Sequence, residues 1–146
     1  MTSRKRIAFF GLSDKTASAV LNLFINARTG YIIDRFAGNE AELLKAEDRL
    51  GDYDLALINP EVSGWYGRGP GSFRLCHQII SRWRKARIEI PIFAVAEVDA
   101  EEEAGLIWAG LTKVIDNKPF EIVDAVRQLF HDNVVNGTKA AKPQSN

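Results

Sequence analysis

Four apolar residues in a row, Leu55-Ala56-Leu57-Ile58, sit near the middle of the chain. A strand solvated on one face alternates polar and apolar positions, so an unbroken run predicts a strand buried on both faces, as in a parallel sheet. Asn59-Pro60 ends it, because proline lacks a ladder donor and turns the chain out. Arg6 to Phe10, stopped by Gly11, and Ile92 to Ala96 have the same character. Tyr31 to Phe36 is more mixed, which places it nearer an edge, and Lys113 to Asp116 predicts a short fifth strand.

Between these runs the period changes to that of a helix. Ala17, Val20, Leu21 and Phe24 fall at i, i+3, i+4 and i+7, with Ser13 or Asp14 as the cap. Asn39 and Glu42 have capping-box spacing ahead of Leu43, Leu44 and Leu50, and Gly51 ends that helix. Phe73, Cys76, Ile80 and Trp83 give the third helix a buried stripe. Asp99 and Glu102 repeat the cap spacing before Leu106, Ile107 and Trp108, and Gly110 ends the fourth helix. The last helix, from about Glu121, carries Val123, Val126, Leu129 and Phe130 on one side. Five strands alternating with five helices predict one parallel sheet with right-handed crossovers and helices on both faces, a three-layer α/β sandwich. The domain is expected over 1–135. The tail 136–146 lacks apolar anchors and reads as disordered.

Composition narrows the chemistry. The 146 residues, 46% of them hydrophobic, suit a single domain with a real core. A formal net charge of zero argues against a general nucleic-acid binder. One cysteine, Cys76, excludes an internal disulfide and a cysteine-rich zinc site, and its helical position makes it core rather than nucleophile. His77 and His131 have no metal-ligand spacing. Arg82, Arg84, Lys85 and Arg87 crowd a helix end, where the dipole favours solvated cations. The apolar run after Arg4-Lys5-Arg6 is too short for a signal peptide, and no segment approaches a membrane span. The expectation is a soluble, cytoplasmic protein. Glu61 to Ser72 holds four glycines without the spacing or the Gly-Lys-Ser/Thr ending of a phosphate-binding loop. Trp65 and Tyr66 in this loop either tuck against the domain or anchor a partner.

The order and lengths of these elements, with Tyr53-Asp54-Leu55, Ile90-Pro91 and Lys118-Pro119-Phe120, resemble the receiver domain of bacterial response regulators. The resemblance covers about Arg6 to Phe130 and implies a flavodoxin-like (βα)5 sandwich with strand order 2-1-3-4-5. It also implies a phosphorylation pocket at the strand ends. The two metal-binding acids would fall at Gly11 and Leu12, the phosphoryl-accepting aspartate at Asn59, the switch Ser or Thr at Ala96, and the aromatic switch at about Ile115. Only the lysine, Lys118, matches. Magnesium needs hard oxygen ligands and phosphoryl transfer needs a nucleophile, and these positions offer neither. Asp14 and Glu61 lie near enough in sequence to be considered as substitute carboxylates.

The expected function is therefore that of a degenerate receiver, or pseudo-receiver. It would be a non-enzymatic, phosphorylation-independent signalling module without metal or cofactor, acting through a protein partner or a homodimer. Trp65, Tyr66 and Trp108 are the candidate partner-binding residues. The alternative is a flavodoxin-like small-ligand or cofactor-binding protein or enzyme using the same strand ends.

Overall fold

The computed structural model describes residues 4–60 and 74–139. The elements run β1 (Arg6–Phe10), α1 (Asp14–Asn26), β2 (Ile32–Phe36), α2 (Glu40–Ala46), β3 (Leu55–Ile58), α3 (Arg74–Lys85), β4 (Ile92–Val95), α4 (Ala100–Ala109), β5 (Lys113–Ile115) and α5 (Pro119–Lys139). All pairings are parallel and the sheet order is β2-β1-β3-β4-β5, so the fold is the flavodoxin-like one of receivers.

Side chains of the three central strands alternate between two apolar layers. Ile7, Phe9, Leu55, Leu57, Phe93 and Val95 join the cluster with α1 and α5. Ala8, Phe10, Ala56, Ile58, Ile92 and Ala94 join the one with α2, α3 and α4. A period-two strand covered on both sides reads as continuously apolar, which is why the runs in the sequence showed no alternation. Rings span each layer. In the α3 layer Trp83 lies 5.6 Å from Phe10, which stacks on Phe36 at 4.9 Å, and Phe36 meets Tyr53 edge-on at 6.2 Å. In the α1–α5 layer Tyr31 is edge-on to both Phe24 and Phe130.

The edge strand β2 is tied in by polar contacts. Asp34 accepts from the Tyr53 hydroxyl at 2.5 Å and from the Arg6 guanidinium at 3.1 Å. The Tyr53 hydrogen bond, more than the arginine, holds the Asp34 carboxyl below its usual range.

Several local expectations change. Ser13, not Asp14, caps α1, its Oγ accepting from the Thr16 N–H at 3.1 Å. Asn39 caps α2, but α2 ends at Ala46 and tightens into a 3-10 turn, Glu47–Asp52. That turn brings Leu50 into the core, while Leu44 stays 38% exposed on the outer face. Asp99 and Glu102 complete a reciprocal capping box on α4. α5 begins at Pro119, before the expected Glu121, because proline at a first helical position has no N–H to leave unpaired. Its helical backbone overlaps 136–139 of the expected tail; residues 140–146 lie outside the described ones.

The basic end of α3 departs most from expectation. Arg84 is not a solvated cation. Its guanidinium donates to the carbonyls of Gly110 (2.9 Å), Ile88 (2.8 Å) and Ile90 (2.8 Å), clamping the ends of α3 and α4 to the start of β4. Gly110 sits at φ 123°, and a Cβ there would meet Arg84 Cγ at 2.6 Å, so only glycine fits. Arg82 likewise pairs with Glu47 at 2.6 Å. Arg84→Ala is expected to lower stability by about 1–3 kcal/mol, since three partly buried carbonyls lose a charged donor. An unchanged denaturant midpoint would show that water replaces the clamp.

Candidate functional site

Four strand ends and their loops meet at the carboxyl edge of the sheet, where open α/β folds place their sites. Register brings them together: Phe10 pairs with Ile58, Ile58 with Ala94, and Val95 with Ile115. The next residues, Gly11, Asn59, Ala96 and Asp116, form the rim.

Gly11 leaves β1 at φ 76°, a left-handed conformation natural to glycine, and its N–H donates to Phe36 O at 3.0 Å. Leu12 then turns inward and packs in the α1–α5 cluster. Neither position presents an oxygen ligand from a side chain. Asn59 is held by the β1 end on two counts. Its backbone N–H donates to Phe10 O at 3.0 Å, and its side-chain amide donates to Gly11 O at 3.3 Å. A carboxylate could not donate the second bond, so the amide suits this pocket. Ala96 is buried, with its N–H on Ile115 O at 3.0 Å, and Ile115 is buried in the α1–α5 cluster.

Lys118 belongs to the rim by position but is exposed, its Nζ 4.0 Å from Glu121 on α5. Its carbonyl accepts from the Ile122 N–H, so its backbone starts the helix. Asp14, considered as a substitute carboxylate, is exposed and pairs with Arg35 at 2.6 Å. Glu61, Trp65 and Tyr66 lie outside the described residues. Trp108 is well away from the core, 89% exposed on α4. Among the described residues no group of three His, Cys, Asp or Glu side chains could hold a metal, and no helix is long and apolar enough to cross a membrane. Cys76 is fully buried and its thiol is pushed up to about 12, which removes it as a nucleophile.

The sequence reading missed one contact. Thr16 Oγ1 donates to Asn117 Oδ1 at 3.3 Å, joining the first turn of α1 to the loop before α5. A polar pair between a helix turn and a loop far apart in sequence carries no local signature; only the topology makes them neighbours.

No family model and no curated protein matches the chain. Solved structures do. The phosphorylated cyanobacterial phytochrome response regulator RcpA matches with TM-score 0.67 at 12% identity, over 90% of this chain and 96% of that one. A response regulator protein from Burkholderia multivorans matches with TM-score 0.62 at 21% identity, over 99% and 100%. A chain assigned to pilus assembly (cpaE) from Burkholderia thailandensis matches with TM-score 0.63 at 15% identity, over 88% and 99%. The chain therefore shares the receiver fold along nearly its whole length.

Proposed function

We propose that this protein is a phosphorylation-independent signalling module, a pseudo-receiver that acts by binding another protein and is not an enzyme. The receiver fold supports a signalling role. The observation that carries the finer reading is what fills the three acid positions: a left-handed glycine at Gly11, a buried side chain at Leu12 and a donating amide at Asn59. Those three positions supply neither a carboxylate for a metal nor an oxygen nucleophile for a phosphoryl group. Conversion of Asn59 to aspartate is also disfavoured, because the usual cyclisation uses the following N–H and Pro60 has none.

Output would pass through the face made by α4, β5 and α5. Trp108, Ile107 and Phe120 are exposed there. β5 is an edge strand, and a groove of about 370 Å³ beside it is lined by Val114, Glu121 and Gln128. A large aromatic anchor beside an open edge suits a protein partner, a second copy of this chain included.

The test is incubation with acetyl phosphate and magnesium, followed by intact-mass measurement and, in parallel, cross-linking of partners. The expected mass is unchanged, and a stoichiometric phosphoryl group on a strand-end residue would sink the reading. Trp108→Ala is expected to weaken the cross-linked complex with thermal stability unaltered. If the complex survives the substitution, this face is not the docking surface.

A further inference from the structure

The opposite end of the sheet carries an open cleft of about 620 Å³, between the end of α1, the start of β2 and the second half of α5. Lys5, Arg28, Tyr31, Arg127, Phe130 and His131 are among its lining residues. Its wall is aromatic, since the Tyr31 ring lies 5.2 Å from Phe130 and 5.0 Å from Phe24. Lys5 Nζ stands 5.5 Å above the Phe130 ring. Burial raises the Tyr31 hydroxyl's pKa while nearby Arg127 offsets it, so the hydroxyl remains a donor at neutral pH.

The cleft gathers three cations around one cavity. Arg6, Arg35 and Arg82 each pair with a carboxylate. Among the described residues, Lys5, Arg28 and Arg127 make no ion pair, and Asp124 is the one acid in the lining. Three cations against one acid leave the cleft with net positive charge, and an anion seated between them relieves their repulsion. Arg28 is also held at φ 56°, just past the end of α1, a position where glycine is usual and a side chain costs about 1 kcal/mol. Arg87 has the same conformation after α3, so the strain means nothing alone. It gains meaning at Arg28 because that side chain joins two other unpaired cations around one cavity.

We propose that this cleft binds a nucleoside phosphate, with Lys5, Arg28 and Arg127 holding the phosphates and the Tyr31 ring, backed by Phe130, holding the base. The volume falls within the usual range for small-molecule sites. The aromatic wall favours a ligand with a ring over a bare anion. This site is separate from the Asn59 pocket, and its occupancy does not depend on the signalling role.

The experiment is calorimetric titration of the full chain at low salt with ATP, GTP and AMP, and with tripolyphosphate and adenosine as partial ligands. Saturable binding of at least one nucleotide is expected, weakening as salt is raised. Tripolyphosphate and adenosine should each bind at least about tenfold more weakly. Arg28→Gly and Arg127→Gln should each weaken nucleotide binding at least about tenfold. The Arg28→Gly chain should melt no lower than the parent, because glycine adopts the left-handed conformation without strain. A cation with only a structural role would not combine retained stability with lost binding. Absence of saturable nucleotide binding, tripolyphosphate binding as tight as ATP, or unchanged affinity in both variants would overturn the proposal.

Discussion

Replacing Trp83 with alanine is expected to lower the unfolding free energy by about 3–5 kcal/mol, the range for deleting a large buried aromatic side chain. Trp83 is fully buried, and its ring closes the row that runs through Phe10 and Phe36 to Tyr53. Its removal would leave a cavity against β1, β3 and β4 that a sheet covered on both faces cannot easily collapse. A second variant separates volume from polarity. Among the described residues Trp83 Nε1 is buried with no hydrogen-bond partner, so Trp83→Phe deletes that donor along with part of the ring. The relief offsets some of the lost packing, and a net loss of about 1 kcal/mol is expected. Denaturant midpoints of the two variants check this. A phenylalanine variant as unstable as the alanine one would mean that the indole N–H has a partner after all.

Ile58→Ala is expected to cost about 2–5 kcal/mol, and Ile58→Val about 0.5–1.5 kcal/mol. Ile58 is fully buried in the α2–α3–α4 layer, between Phe10 on β1 and Ala94 on β4 in the register of the sheet. It is also the residue before Asn59, so a cavity there would loosen the backbone that holds the Asn59 amide on Gly11. Chemical denaturation measures the loss, and a midpoint equal to the parent's would contradict the placement of β3 at the centre of the sheet. Together the two substitutions probe the same layer from helix and strand. Because they share packing neighbours, the double variant is expected to fall short of additivity.

Much of the architecture was legible in the chain because each element carries its own local physics. Leu55 to Ile58 read as a doubly covered strand, and the structure places it so. Asp99 with Glu102 could only open a helix, and the structure completes that capping box. The mixed character of Tyr31 to Phe36 matched its place at the edge. The strand-end positions were legible for a different reason: Gly11 and Asn59 directly follow β1 and β3, so counting residues places them on the rim, while Leu12 turns into the core.

What escaped the sequence depends on groups brought together from distant segments. A row of Arg82, Arg84, Lys85 and Arg87 has the local signature of a solvated helix end. That Arg84 instead clamps Gly110, Ile88 and Ile90 follows from how α3 meets α4 and β4. Leu44 looked equivalent to Leu43 until the turn after Ala46 set which of them faces the core. The same holds for Lys118, whose side chain lies toward Glu121, and for the cleft that unites Lys5, Arg28 and Arg127. Backbone periodicity and capping are short-range properties, so the sequence by itself determined the strands, the helices, their order and which residues stand at the strand ends. The partners of long polar side chains, and the sharing of a cavity by residues a hundred positions apart, are set by packing of finished elements. Only the tertiary structure could decide them.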